Sequence, residues 1–214
     1  MFEAVVKVGG SLTRSKRVFT RLCSTLSELG KRHRLLFIPG GGSFADEVRE
    51  AYKRFGLSET TAHWMALMAM NQFGLMLAEL IGVEAVEFIT HDRTVVLLPF
   101  KLIFEEDPLP HSWEATSDSV ATYIACKIHA PKLVLLKDVD GVFSADPKKS
   151  SDARLLENLK AEDLLSLGIP TCVDPVSPRI LTRCKVEAWV INGKHPERLA
   201  ELLSKGKTIG TRIC

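Results

Sequence analysis

Near its N-terminus the chain twice runs an apolar segment into a glycine cluster and then into a stretch of helical spacing. Phe2 to Val8 leads into Gly9-Gly10-Ser11, after which Val18, Leu22, Leu26 and Leu29 recur at helical intervals until Gly30. Arg34 to Ile38 leads into Pro39-Gly40-Gly41-Gly42-Ser43, and Phe44 to Phe55 follows as a helix closed by Gly56. Two successive strand-glycine-helix units predict parallel strands with right-handed crossovers. In open sheets of that kind, ligands bind beyond the carboxyl ends of the strands, which is where both glycine clusters fall.

The remaining pattern continues the theme. A long helix is expected over Ser58 to Leu80, short strands over Ala85 to Ile89 and Thr94 to Leu98, and a loop-rich bridge from Pro99 to Pro110. Beyond it come a helix over Ser117 to Ile128, a strand over Lys132 to Leu136 and a polar loop from Asp138 to Lys149. Helices over Ala161 to Leu167, Arg179 to Cys184 and Pro196 to Leu203 then alternate with strands over Glu187 to Ile191 and Thr208 to Arg212. With 214 residues and no internal repeat, the chain is expected to form one domain over 1–214.

Charge narrows the partners. Lys and Arg number 28 against 26 acidic residues, and the basic ones are scattered, so no nucleic-acid footprint is indicated and small anions fit better than polymers. No apolar run approaches the roughly 18 residues expected of a membrane span. The five cysteines show no CxxC pair, which reads as free thiols in a reducing cytoplasm.

Chemistry concentrates at the strand ends. Glycine-rich turns present backbone N–H groups without side-chain shielding, and phosphate is their natural guest. Neither cluster fits GxxxxGK[ST] or GxGxxG, so a different phosphate-binding architecture is required. Lys7 lies inside an apolar strand, where an ammonium without an anion would be costly, so it is expected to face one. Leu135-Leu136-Lys137-Asp138-Val139-Asp140-Gly141 repeats the logic, with two carboxylates and a lysine delivered onto a glycine turn.

In order along the chain, KVGGS at 7–11, PGGGS at 39–43, TSDSVA at 116–121, LLKDVDGVFSADP at 135–147 and GTRI at 210–213 resemble the amino acid kinase superfamily. The resemblance implies a three-layer α/β/α sandwich with a mostly parallel central sheet. It implies an acceptor-binding lobe over about 1–110, a lobe binding ATP with Mg²⁺ over about 111–214, and a homo-oligomer. By the same resemblance Lys7 stabilises the transferring phosphoryl group and Asp138 orients catalytic lysines. Gly9, Gly10, Ser11, Lys137, Asp140, Gly141, Val142, Phe143, Asp146, Pro147 and Lys148 bind ATP. Gly40, Gly41, Gly42, Ser117 and Asp118 bound the acceptor; no metal ligand is assigned. A second lysine, carried by several members in a GGMxxK-like segment, has no counterpart at Val173 to Arg179, and Lys16, Arg179 or Lys185 could substitute.

His63 and Asn71, about two helical turns apart, could flank one pocket. The stretch resembles isopentenyl phosphate kinases, where a histidine contacts the acceptor phosphate. HWMALMAMNQFGLMLA and LPHSWEATSDS resemble more closely the [5-(aminomethyl)furan-3-yl]methyl phosphate kinases of methanofuran biosynthesis. That branch implies transfer to a small phosphate monoester to make a diphosphate, with Trp113 against the furan and Glu114 or another acid on its aminomethyl cation. Isopentenyl phosphate or uridylate kinase activity stays open, as does a non-catalytic nucleotide-binding storage or regulatory protein.

Overall fold

The computed structural model describes residues 1–89, 92–146, 149–150, 152–167 and 171–214. Eight strands form one sheet: β1 (Ala4–Val8), β2 (Leu35–Pro39), β3 (Glu84–Val86), β4 (Val95–Leu97), β5 (Lys132–Lys137), β6 (Asn158–Leu159), β7 (Glu187–Asn192) and β8 (Thr211–Ile213). Their spatial order is β3-β4-β2-β1-β5-β7-β8-β6, and every pairing is parallel except β7 with β8. Helices cover both faces, giving the expected α/β/α sandwich.

On one face the side chains of Ala4, Val6 and Val8 pack against Leu22 and Leu26 of α1 (Lys16–Gly30), Phe73 and Leu77 of α3 (Glu59–Ile81) and Leu199 of α8 (Glu197–Lys205). On the other, Val5, Leu133 and Leu135 meet Ile103 of α4 (Phe100–Glu106), Val120 and Ile124 of α5 (Ser117–Lys127), and Leu181 of α7 (Val176–Leu181). The short α6 (Ala161–Ser166) joins that second face, while α2 (Gly42–Phe55) packs outside, along α3.

Four expectations are corrected. Phe100 to Glu106 is helical rather than loop, because Phe100, Ile103 and Phe104 recur at helical spacing directly after Pro99. The helix expected at Arg179 to Cys184 lies instead over Val176–Leu181, with Pro178 tolerated in its first turn. Helix α3, with 23 residues and a mean hydropathy of 1.3 over its most apolar window, is long and apolar enough to cross a membrane; here its residues Leu67, Met70, Phe73, Leu77 and Ile81 are core. Finally, Cys126 and Cys184 are joined as a disulfide with Cα atoms 5.8 Å apart, and only Cys23, Cys172 and Cys214 are free. The bonded pair is 58 residues apart in sequence and adjacent only because α5 packs on α7, which spacing could not reveal. The argument from free thiols to a reducing compartment therefore lapses.

Candidate active site

Strand alternation builds the centre of the site. Successive side chains of a strand point to opposite faces, so Val5 and Lys7 of β1 share a face with Leu133, Leu135 and Lys137 of β5, the two strands being in register with Lys7 opposite Leu135. On that face stands the first turn of α5, which carries Asp118. Asp118 Oδ1 lies 2.9 Å from Lys7 Nζ, and Lys137 Nζ donates to Asp118 Oδ2. Lys7 and Asp118 are 4% and 1% exposed, so two ammoniums share one carboxylate almost out of water, with the Asp174 carboxylate as a second, more distant anion for both lysines.

Burial pushes the Asp118 carboxyl up, but the ammoniums of Lys137 and Lys7 outweigh it and hold the group down to about 2. Burial likewise works against the Lys137 ammonium, and Asp118 overcomes it, so Lys137 titrates above the ordinary lysine value. Lys7 is shifted down, by burial first and by the like charge of Lys137. Of the two, Lys7 is the more deeply buried.

Asp118 is held by a residue that the motifs did not single out. The Asp174 carboxylate accepts hydrogen bonds from the backbone N–H groups of Thr116, Ser119, Val176 and Ser177, at 2.8 to 3.2 Å, and from the hydroxyls of Thr116 and Ser119. One side chain thus caps the N-termini of both α5 and α7. The only local signal was an Asp directly before Pro175. Asp174→Ala is expected to lower stability by about 1–4 kcal/mol, since each lost cap is worth roughly 0.5–2 kcal/mol. A urea midpoint unchanged from the parent would remove this role.

The two glycine clusters close into one cradle above Lys7. A Cβ on Gly10 would stand 2.3 Å from the Gly42 nitrogen, and Gly42 itself has φ +57°, so the two turns press together as only glycines allow. The N–H groups of Gly9 and Gly40 are taken by Leu136 O and Val8 O, so these two residues shape the cradle rather than donate from it. Donation falls to the first turn of α2, where Gly42, Ser43 and Phe44 have no intrahelical acceptor and Gly41 supplies no side-chain cap.

Beyond β5, the loop is braced from the C-terminus of the chain. Asp140 accepts from Asn192 Nδ2 at 3.0 Å and pairs with Arg198 at 2.5 Å, and the carbonyl of Asp138 accepts from Lys194 Nζ at 2.9 Å. Val142 is buried and its N–H donates to Thr211 Oγ1 at 2.8 Å, while a Cβ on Gly141 would stand 2.5 Å from that same hydroxyl. Thr211 of the terminal GTRI segment is therefore the wall on which the loop rests. Phe143 bridges to Leu155, and the Asp146 carbonyl accepts from Lys149 and Ser150. Pro147 and Lys148 lie outside the described residues.

Two spaces flank the cluster. A narrow one, about 80 Å³, is lined by Gly41 and Arg49 of α2, by Glu59, His63 and Met70 of α3, and by Trp113 and Ser117. A wider one, about 570 Å³, is lined by Asp118, Lys137, Glu114, Cys172, Asp174 and Arg179. Trp113 and Thr116 line both, so the spaces abut at the start of α5. In the narrow space His63 is 9% exposed and its Nε2 has no hydrogen-bond partner. Burial, aided by the neighbouring His111, pushes it down to about 4, so it is neutral at physiological pH. Its ring stacks on His111 at 4.6 Å, and His111 bonds in turn to Asp107 at 2.8 Å and Thr60 at 3.1 Å.

The model of the amino acid kinase family matches residues 3–192. The chain belongs to the amino acid kinase family. It is 32% identical to the [5-(aminomethyl)furan-3-yl]methyl phosphate kinase of Methanocaldococcus jannaschii, over 98% of this chain and 96% of that one. It is 27% identical to the uridylate kinase of Methanosarcina barkeri, over 94% and 91%. Among solved structures, the uridylate kinase of Archaeoglobus fulgidus superposes with a TM-score of 0.79 at 24% identity, covering 99% of this chain and all of that one. The isopentenyl phosphate kinase of T. acidophilum does so with a TM-score of 0.64 at 20% identity, covering 99% of each. The curated relatives named are kinases.

Within this amino acid kinase fold, several expected site residues meet and others do not. Lys7, Lys137 and Asp118 converge, but the carboxylate between the lysines is Asp118 rather than Asp138, which forms no ion pair with either among the described residues. Of the lysine substitutes, Arg179 lines the wider cleft, whereas exposed Lys16 starts α1 and exposed Lys185 follows α7. Gly41, His63, Trp113 and Ser117 line the narrow space. Asn71 does not: its Oδ1 accepts from the N–H of Phe100 and starts α4. Ser11 sits in the 3₁₀ turn Gly10–Arg14 beside the cradle.

Proposed function

We propose that the chain transfers the γ-phosphoryl group of ATP to a small phosphate monoester, giving ADP and a diphosphate, with [5-(aminomethyl)furan-3-yl]methyl phosphate as the acceptor. The observation that carries this reading is the Lys7–Asp118–Lys137 cluster, two buried lysines on one carboxylate beside the wide cleft that Asp118 and Lys137 line, with the narrow space abutting that cleft at Trp113 and Thr116. ATP would occupy the C-terminal lobe and its cleft, the acceptor the N-terminal lobe and the narrow space.

In the transfer, an oxygen of the acceptor phosphate forms the new bond to the γ-phosphorus while the bond to the ADP oxygen breaks. The attacking oxygen is already ionised, so no general base is needed. The barrier is repulsion between two anions, and catalysis is positioning plus charge stabilisation. Lys7 and Lys137 would meet the transferring oxygens, the first turn of α2 the acceptor phosphate, and neutral His63 would hydrogen-bond without adding charge. When bound, Mg²⁺ would neutralise charge on the β- and γ-phosphoryl oxygens.

The size of the narrow space favours a compact acceptor. At about 80 Å³ it is far smaller than the 570 Å³ cleft, which suits a small acceptor in the one and the nucleotide in the other. A cytoplasmic location fits the need for ATP, and intracellular disulfides like Cys126–Cys184 occur in hyperthermophilic archaea. A homo-oligomer would cover Met68, Leu75 and Leu80, exposed on α3. The reading is tested by ADP release with ATP and, in turn, the furan phosphate, UMP and isopentenyl phosphate. The furan phosphate should give the highest kcat/KM; faster turnover of either alternative would overturn the acceptor, and no turnover with any would overturn the kinase.

A further inference from the structure

The narrow space is lined by two charged residues that the proposed transfer does not use, Arg49 and Glu59. Glu59, Ala62, His63, Ala66 and Met70 recur on α3 at three- and four-residue intervals, so they form one stripe along the pocket. Ala62 and Ala66 keep that stripe low, and Glu59 stands one turn from His63, nearest the short Gly56–Ser58 turn that joins α2 to α3. Across the space, Gly41 lies at the N-terminus of α2 and Arg49 two turns further on, toward the same turn.

The two ends of the pocket differ in sign. At the Gly41 end are the open N–H groups of α2 and the positive end of its dipole. At the other end Arg49 is engaged, with Asp46 at 2.8 Å and with its guanidinium over the Trp113 ring at 5.1 Å. Arg49 and Asp46 offset one another. Glu59, exposed in the first turn of α3, forms no ion pair or hydrogen bond among the described residues, so its carboxylate is open to a cation at that end of the pocket. Glu114, the acid expected to meet an acceptor cation, is equally exposed but lines the wider cleft instead.

We infer that Glu59 binds a cationic group on the acceptor, so that the pocket selects a phosphate monoester with an ammonium on the far side of a small ring. The inference rests on the reading of this space as the acceptor site. The levels of Gly41 and Arg49 on α2 are about 12 Å apart at 1.5 Å per residue. That is the span of a small ring with an arm on each side and a polar contact at each end. The phosphate enters the α2 end, the ring lies between Trp113 and the two alanines, and the ammonium reaches Glu59.

The test compares [5-(aminomethyl)furan-3-yl]methyl phosphate with the analogue that has methyl in place of aminomethyl, in the parent and in Glu59→Gln. The parent should prefer the amine by about two- to fivefold in kcat/KM, the range of one exposed ion pair. In Glu59→Gln that ratio should collapse toward one, through a higher KM for the amine. A loss of helix stability alone would slow both acceptors equally and leave the ratio standing. A ratio unchanged by the substitution overturns the role of Glu59 while the acceptor reading survives. Parent enzyme that turns over UMP and neither furan phosphate overturns both.

Discussion

Lys7→Ala is expected to slow turnover by about 10²- to 10³-fold, with the KM for ATP little changed and the fold intact. Removing one preorganised donor from developing transition-state charge typically costs about 2.7–4 kcal/mol, and Lys7 is such a donor: buried, held by Asp118 and beneath the glycine cradle. Stability should hold because Asp118 keeps Lys137, so the substitution converts two ammoniums on one carboxylate into a neutral pair. Single-turnover rates at saturating ATP, with thermal unfolding of the same preparation, measure both terms. Turnover within threefold of the parent would take Lys7 out of the mechanism.

What could be read from the sequence divides along local and non-local lines. Strand-glycine-helix units, the anion-facing Lys7 and the loop after β5 are local patterns, and a lysine in an apolar strand announces its need for a partner. The partner's identity is another matter. Asp138 adjoins Lys137 and was the natural choice to orient the lysines, yet adjacent residues of an extended segment point to opposite faces, so a carboxylate next to Lys137 in sequence is badly placed to face it. The carboxylate that does comes from α5, 19 residues earlier. Asp174 is hidden for the same reason: its acceptor contacts reach across more than 50 residues to the start of α5 as well as forward to the start of α7. The disulfide and the split of Trp113 and Glu114 between two spaces are equally products of packing.

Asp118→Asn is expected to damage stability and activity together. With the carboxylate gone, Lys7 and Lys137 are left buried side by side with no anion between them, and breaking a buried charge cluster in this way costs about 3–5 kcal/mol. Without Asp118, Lys7 also loses the carboxylate that fixes it beneath the cradle, so turnover should fall as well. Acid adds a second signature. Asp118 titrates near 2 when folded against an ordinary 3.8, so its contribution is present in full above about pH 4 and is lost as pH falls toward 2. The parent should therefore lose stability across that interval, and Asp118→Asn should show less of that loss. Lys7→Ala in the Asp118→Asn background should restore part of the lost stability, since it removes one unpaired ammonium. Urea midpoints of the four proteins at neutral pH and at pH 3 decide it: additive effects, or an Asp118→Asn protein as stable as the parent, would show that Asp118 does not hold the lysines.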